Sequence, residues 1–230
     1  MASVNISLDG TVQQRSRASG WANTVAGDGS VFNGGNSGIR IDYIQNFDGG
    51  TNFTIDRLHF RFDVGSVVPA DATVTAVSLF LYTDSVGQSI TDADYKKSKI
   101  AKATSVSLSN SGTAATTWDA IDYSVLHGNY VDVSTTNDAE NEFDFGSGDL
   151  FDYVVDQCAA GTKAAFWHVT KLELEDQAPT GGNLNSFDWI TGANPPNLRV
   201  VYTPASAPPN VNFKVNGGSL NINGGGLKII

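Results

Sequence analysis

The chain has 230 residues, a formal net charge of −10 at pH 7 and a hydrophobic content of 40%. A chain of this length can bury a substantial core in a single large domain. Its acidic balance argues against nucleic acid or an anionic membrane as a partner, because binding to either requires a basic surface.

Cysteine content and the N-terminal sequence indicate the cellular compartment in which the protein folds. The single Cys158 cannot form an internal disulfide, and it excludes a metal site built from several cysteines. The N-terminal residues lack the apolar run of a signal peptide, and no segment is apolar over the length that crosses a bilayer. We therefore expect synthesis and folding in a reducing cytosol.

Strand patterns recur along the chain between clusters of Gly, Asn, Asp and Pro, as is typical of antiparallel β-proteins. The Gly-rich residues 27–38 are predicted to be a loop because no helical pattern follows them. The run KLELE at 171–175 alternates and predicts a half-exposed strand. The predicted strands are residues 4–8, 39–44, 55–64, 73–83, 99–108, 129–133, 164–175 and 197–203.

One helix is predicted, over residues 149–160. Ser147 or Asp149 can cap its start, and Gly161 can end it. Cys158 is then expected to be a small core residue and not a reactive thiol, because nothing nearby in the sequence would lower its pKa. The predicted apolar face consists of Leu150, Tyr153, Val154 and Cys158.

Residues 58–82, LHFRFDVGSVVPADATVTAVSLFLY, hold the clearest pair of strand patterns. From Leu58 to Val64, apolar and polar residues alternate, which indicates a strand with one buried face. Residues 74–82 are apolar on nearly both faces. Pro69 and the polar residues after it favour a turn or crossover between the two strands.

This strand pair resembles the DNRLRE-type jelly-roll domains. In that family, a strand of the form R-x-x-L-x-F-D precedes a segment of the form L-P-x-G-A-x-I-x-x-A-x-L-x-L-Y, and residues 68–74 match its start. Asp71 stands where the family tends to have Gly, so the turn geometry can differ. Downstream, Trp118 and Asp119 occupy the place of a W-rich loop, and residues 195–203 resemble the closing strand.

The resemblance covers most of residues 40–203 and implies a β-sandwich related to carbohydrate-binding modules. Such domains are found on secreted bacterial proteins and, in similar form, on phage particles. We therefore predict an all-β protein, an antiparallel β-sandwich (jelly roll) with one short helix over residues 1–203. An extended C-terminal tail follows it over residues 204–230.

The tail differs from the body in composition. Residues 204–209 are a Pro-rich linker, and the segment at 215–220 is echoed after seven residues at 222–227, each time around Asn-Gly-Gly. We predict that the tail adds to a sheet edge of a neighbouring subunit; a disordered end is the alternative. Its predicted assembly residues are Phe213, Val215, Leu220, Ile222, Leu227, Ile229 and Ile230.

No catalytic motif is found, so we predict that the protein is not an enzyme. His59, His127 and His168 lie far apart without the spacing of a metal site, and nucleophile-elbow, phosphate-loop and dinucleotide motifs are missing. No cofactor is expected. A calcium ion is conceivable in an oxygen-rich segment formed by Asp138, Glu140, Glu142 and Asp144.

Tryptophans that stand next to aspartates indicate a candidate sugar-binding site. Exposed tryptophan rings can stack on sugar rings, and an adjacent carboxylate can accept hydrogen bonds from hydroxyl groups. Packing at the rim of the sandwich is the alternative role for these tryptophans. The predicted glycan-binding residues, in loop-like contexts, are Trp118, Asp119, Asp188 and Trp189.

Two functions follow as hypotheses. The first is a structural component of a phage particle, namely a head decoration, fibre or tail-appendage subunit. It would be made in the host cytoplasm and assembled with other virion subunits, as a homo-oligomer, through residues 204–230. The second is a carbohydrate-binding module that contacts cell-surface glycans. Neither hypothesis includes a nucleic-acid or membrane partner.

Overall fold

The computed structural model describes residues 1–27, 30–35, 40–47, 52–84, 93–106, 120–134, 136, 138–179, 184–189 and 194–205. Within these ranges the protein is mostly β, with few helices, and consistent with an all-β jelly-roll or sandwich fold, which confirms the predicted class. The strands are β1 (Ala2–Ser19), β2 (Ser30–Gly35), β3 (Arg40–Phe47), β4 (Asn52–Phe62), β5 (Thr73–Asp84), β6 (Lys97–Ala103), β7 (Ile121–Leu126), β8 (Val131–Asp132), β9 (Glu140–Asp144), β10 (Ala164–Thr170), β11 (Leu184–Trp189) and β12 (Asn197–Thr203). The helices are α1 (Trp21–Val25), α2 (Asp149–Ala160) and α3 (Lys171–Leu174).

All pairings between described strands are antiparallel and join them into one 12-stranded sheet, which curls into two parts that we call the first and the second sheet. The first sheet consists of the N-terminal half of β1, then β12, β5 and β9. The second consists of the C-terminal half of β1, then β4, β10, β6 and β7. β1 crosses from one sheet to the other at a register irregularity between Leu8 and Gly10.

Additional strands complete the second sheet. β2 pairs with the outer edge of β1, β8 pairs with β6, and β3 continues the sheet beside β4. β11 then joins β3 to the last residues of β5. The sheet therefore curls back toward the first sheet.

The main core lies between the two sheets. Strand alternation turns one row of apolar side chains from each sheet inward, and burial of each such side chain contributes about 1.5 to 3 kcal/mol. The predicted strands at 55–64 and 73–83 are confirmed by this arrangement. Their fully buried inward residues are Leu58, Phe60, Phe62, Val77, Leu79 and Leu81.

α2 closes one end of the core and confirms the predicted helix. Leu150, Val154 and Cys158 are buried, and Gly161 ends the helix with a φ of 67° in the left-handed region. Cys158 is 2% exposed, and burial raises the pKa of its thiol to about 11, as expected for a core residue. The predicted capping by Ser147 or Asp149 is wrong, because Gly148 occupies the N-cap position and no side chain caps the helix.

The predicted strand at 164–175 is wrong in its second half. β10 ends at Thr170, and residues 171–174 form α3. The Thr170 side chain accepts a hydrogen bond from the Glu173 backbone N–H, so a Thr-x-x-Glu sequence begins the helix. The alternation in KLELE is too short to distinguish a strand from one helical turn.

Several strands were not predicted. β2 lies inside the Gly-rich segment expected to be a loop, where it pairs with the edge of β1. β7, β9 and β11 are short, so few residues carry their alternation. Of the strand predicted at 129–133, only the two residues of β8 are in a strand. The strand predicted at 99–108 corresponds to β6, which ends at Ala103.

Candidate functional site

The second sheet carries a smaller apolar cluster on the face that points away from the main core. Trp167, Val169 and Ala165 of β10 pack there against Ala101 and Ala103 of β6. The Trp167 indole Nε1 donates a hydrogen bond to the Ala120 carbonyl oxygen at 3.0 Å. Leu126 and Leu174 pack against this cluster, which brings β7 and α3 together.

A hollow of about 360 Å³ lies where β6, β7, α1 and α3 meet, and we call it the tyrosine groove. α1 is held in place by Trp21, whose ring meets Phe53 edge-on at 5.6 Å between centroids. α3 is turned over the sheet by the Thr170 cap. The groove is lined by Val25, Lys99, Tyr123, Leu126, Tyr130, Glu173 and Leu174.

Glu173 forms the floor of the groove together with a buried arginine. The Arg57 Nε lies 2.8 Å from the Glu173 Oε1, and both side chains are 3% exposed. The Tyr123 hydroxyl donates to the same carboxylate oxygen at 2.9 Å. Because its carboxylate is held from two directions, Glu173 is fixed in place and its charge is balanced.

Tyr130 forms a second aromatic wall. Its hydroxyl donates to Glu175 Oε1 at 3.2 Å, and the Lys99 Nζ lies 4.8 Å from the centre of its ring. Burial raises the pKa of Tyr130, and the hydrogen bond to Glu175 raises it further. Tyr123 is 44% exposed, so one ring of the groove remains accessible to a ligand.

A neighbouring hollow of about 430 Å³ shares Leu126 and Tyr130 with the tyrosine groove. Tyr130 therefore stands between two hollows, and a ligand longer than one ring could contact both. The second hollow also presents polar side chains, namely those of His127, Asn129, Glu142, Asp144 and Ser147.

The predicted glycan site is only partly within the described residues. Trp118 and Asp119 lie outside them. Asp188 and Trp189 end β11, where their backbones pair with β3 and with the end of β5, so they lie on a strand and not in a loop as expected. Binding of a glycan by these residues stays a prediction.

The predicted assembly residues, from Phe213 to Ile230, also lie outside the described residues. The last described residues, Thr203, Pro204 and Ala205, are exposed at the end of β12. Assembly through the tail stays a prediction.

The segment considered for calcium is an outward-facing edge of β9. Alternation places Glu140, Glu142 and Asp144 on one exposed face, about 7 Å apart along the strand. Tyr82 donates to Glu140 at 2.7 Å, and Arg199 lies 2.9 Å from Glu142. No group of three or more metal-ligating side chains occurs in the part of the chain that the structure describes.

The three histidines are buried, His59 on the face of the second sheet that carries Trp167, and His127 and His168 against the main core. His59 lies on β4, where its ring stacks at 4.8 Å on Trp167. His127 and His168 both contact the ring of Phe143. Burial lowers the pKa of His127, and it lowers the pKa of His59 from 6.5 to about 3. These contacts are typical of aromatic packing.

Sequence reasoning missed the tyrosine groove. Glu173 is distant in sequence from Arg57 and Tyr123, so no local motif joins them. Two local signals were present. The Thr170-x-x-Glu173 capping sequence indicates a helix at this point, and Tyr123 stands between Ile121 and Val125 in a short alternating run.

No protein-family model matches the sequence, and no curated protein is significantly similar to it. Among the described residues, no helix combines the length and apolar character needed to cross a membrane.

Proposed function

We propose that this chain is a non-enzymatic carbohydrate-binding module whose tyrosine groove holds a glycan. The observation that carries this proposal is the combination, in one hollow, of two tyrosine rings with a fixed carboxylate and an ammonium group. Aromatic faces bind the apolar faces of sugar rings, and a few fixed polar groups orient their hydroxyls.

Catalysis fits this groove less well than binding does. Glycoside hydrolysis uses two carboxyl groups on opposite sides of the bond, one of them available to give a proton. The lining carboxylate, Glu173, is instead engaged by Arg57 and by the Tyr123 hydroxyl. A carboxylate held in this way is suited to accept hydrogen bonds from a ligand.

Replacement of the tyrosines tests the proposal. In Tyr123→Ala and Tyr130→Ala we expect glycan affinity to fall by about 1 to 3 kcal/mol each, by analogy with the loss of a stacking aromatic elsewhere. Glycan-array screening followed by calorimetry measures this loss. Tyr82→Ala is the matched control, because Tyr82 lies on the other sheet and pairs with Glu140.

The outcome also separates the two candidate glycan sites. Binding that survives both groove substitutions in a folded protein contradicts the tyrosine groove. If that binding is then lost in Trp118→Ala or Trp189→Ala, the site is the one predicted from the sequence. Absence of signal for any glycan contradicts the binding function altogether.

A second candidate function is that of a structural component of a phage particle, as a head decoration, fibre or tail-appendage subunit. The observation in its favour is the exposed end of β12. β12 is held between β1 and β5, so the chain that follows Ala205 starts from a rigid strand at the surface. This placement suits a body that projects outward while the tail, residues 204–230, joins a neighbouring subunit, and it is compatible with glycan binding.

Truncation after Thr203 tests this candidate. We expect the shortened protein to keep the melting temperature of the full chain, because β12 is retained, yet to fail to oligomerise or to join the particle. Light scattering and incorporation into particles measure the two properties. Assembly of the truncated protein at the level of the full chain contradicts the proposal.

A further inference from the structure

Among the residues that the structure describes, the charged groups around the tyrosine groove have partners of opposite charge, with the exception of Lys99. Glu173 is neutralised by Arg57 at 2.8 Å. Beside the groove, Lys97 of β6 and Lys171 of α3 share Asp94 at 2.7 and 3.0 Å. Each of these charges therefore has a partner of opposite sign within the protein.

Lys99 is the exception. Lysines near it have carboxylate partners, since Lys96, just before β6, lies 3.7 Å from Asp132, and Lys102 of β6 lies 3.5 Å from Asp122. Within the described residues, Lys99 has no carboxylate in ion-pair contact, and its Nζ lies over the ring of Tyr130. The groove thus contains an ammonium group whose charge no described carboxylate pairs with, in a chain of net charge −10.

We propose that the tyrosine groove selects a sugar that carries a carboxylate, such as a uronic or sialic acid, and that Lys99 pairs with this carboxylate. The proposal rests on the glycan-binding function proposed above. A stacked ring would contact the exposed Tyr123, while the acidic substituent would meet Lys99 beside Tyr130. The groove volume of about 360 Å³ lies at the lower end of the range for small-molecule sites, which suits a short segment of a glycan.

Charge explains why the acidic sugar is preferred. Its carboxylate would form a charge-assisted hydrogen bond with Lys99, which is stronger than the bond from a neutral hydroxyl. Glu173, the carboxylate that lines the groove, would not repel it strongly because Arg57 balances its charge. We therefore expect about tenfold or greater preference for the acidic sugar over a neutral analogue.

Calorimetry with paired ligands tests the proposal. The probes are sialyllactose against lactose, and trigalacturonic acid against its methyl ester. Wild-type protein is expected to prefer at least one acidic member about tenfold or more, and Lys99→Gln is expected to lose this preference while it retains binding to the neutral member. Lys102→Gln is the control, because Lys102 lies on the same strand but pairs with Asp122, and it should keep the preference.

The possible results test the selectivity for acidic sugars separately from the glycan-binding function on which it rests. Equal binding of acidic and neutral ligands, still lost in Tyr123→Ala, overturns the acidic selectivity and leaves the glycan-binding function standing. A preference that persists in Lys99→Gln also overturns the role of Lys99. Failure of wild-type protein to bind any glycan overturns both proposals.

Discussion

Among the described residues, an arginine–glutamate pair lies on the outward side of each sheet, and the two pairs differ mainly in their exposure to solvent. On the first sheet, Arg199 lies 2.9 Å from Glu142, and their side chains are 42% and 44% exposed. On the second sheet, Arg57 lies 2.8 Å from Glu173, and both side chains are 3% exposed. Nearly equal distances therefore describe interactions in very different surroundings.

The difference arises from what covers each face. β9 and β12 present their polar rows to solvent, whereas α1, α3 and the cluster around Trp167 close over the second sheet. Water screens the exposed pair, so it contributes little to stability. The buried pair has lost its hydration, and each of its charges therefore depends on the other.

The largest expected effect is on the buried pair. Glu173→Gln keeps the shape of the side chain but leaves Arg57 buried without its counter-charge. We expect the free energy of unfolding to fall by about 3 to 5 kcal/mol, as measured by chemical denaturation. A loss of less than about 1 kcal/mol would show that water reaches Arg57 in the variant.

A smaller loss of stability is expected at low pH. It arises from His59, which is buried on the same face of the second sheet as Arg57. Burial, with a contribution from the Arg61 guanidinium, lowers the pKa of His59 from 6.5 to about 3. Below pH 6.5 the unfolded chain binds a proton that the folded protein does not bind. Stability is therefore full above that pH and is lost progressively toward pH 3.

Between pH 7 and pH 5, His59 should cost the folded state about 2 kcal/mol. Denaturation curves at the two pH values measure this loss. His59→Gln, which does not titrate, should show a correspondingly smaller loss. Equal pH dependence in both proteins would contradict the assignment to His59.

The smallest effect is expected on the exposed pair. Glu142→Gln should lower the free energy of unfolding by less than about 1 kcal/mol, and added salt should reduce the difference further. Denaturation at low and high ionic strength checks both statements. A cost as large as that of Glu173→Gln would mean that exposure does not explain the contrast between the two faces.

Much of the fold could be predicted because its strongest signals are local. Residues 58–64 alternate cleanly, and the helix over 149–160 has both an apolar face and a terminal glycine. α3 was not predicted, because a few alternating residues fit both the two-residue repeat of a strand and a single turn of helix. β1 was predicted only at residues 4–8, because its other half has polar residues buried between neighbouring strands, such as Gln14.

The candidate site was less predictable, since its parts come together only through the sheet. Nothing local in the sequence marks Tyr123 and Tyr130 as members of one groove. Their neighbour Glu173 reaches them because α3 follows β10, a strand that pairs with β6. Tryptophans next to aspartates are a more conspicuous pattern, and the sequence prediction therefore placed the glycan site at Trp118 and Trp189.

The position of β1 also has a consequence for how the protein is made. Ala2 pairs with Tyr202, so β1 must await a partner that leaves the ribosome about 200 residues later. At ordinary rates of translation this interval is about 10 to 40 s, during which the first sheet is incomplete. The sandwich therefore closes only after β12 has been synthesised, and the nascent chain exposes an unpaired strand edge until then.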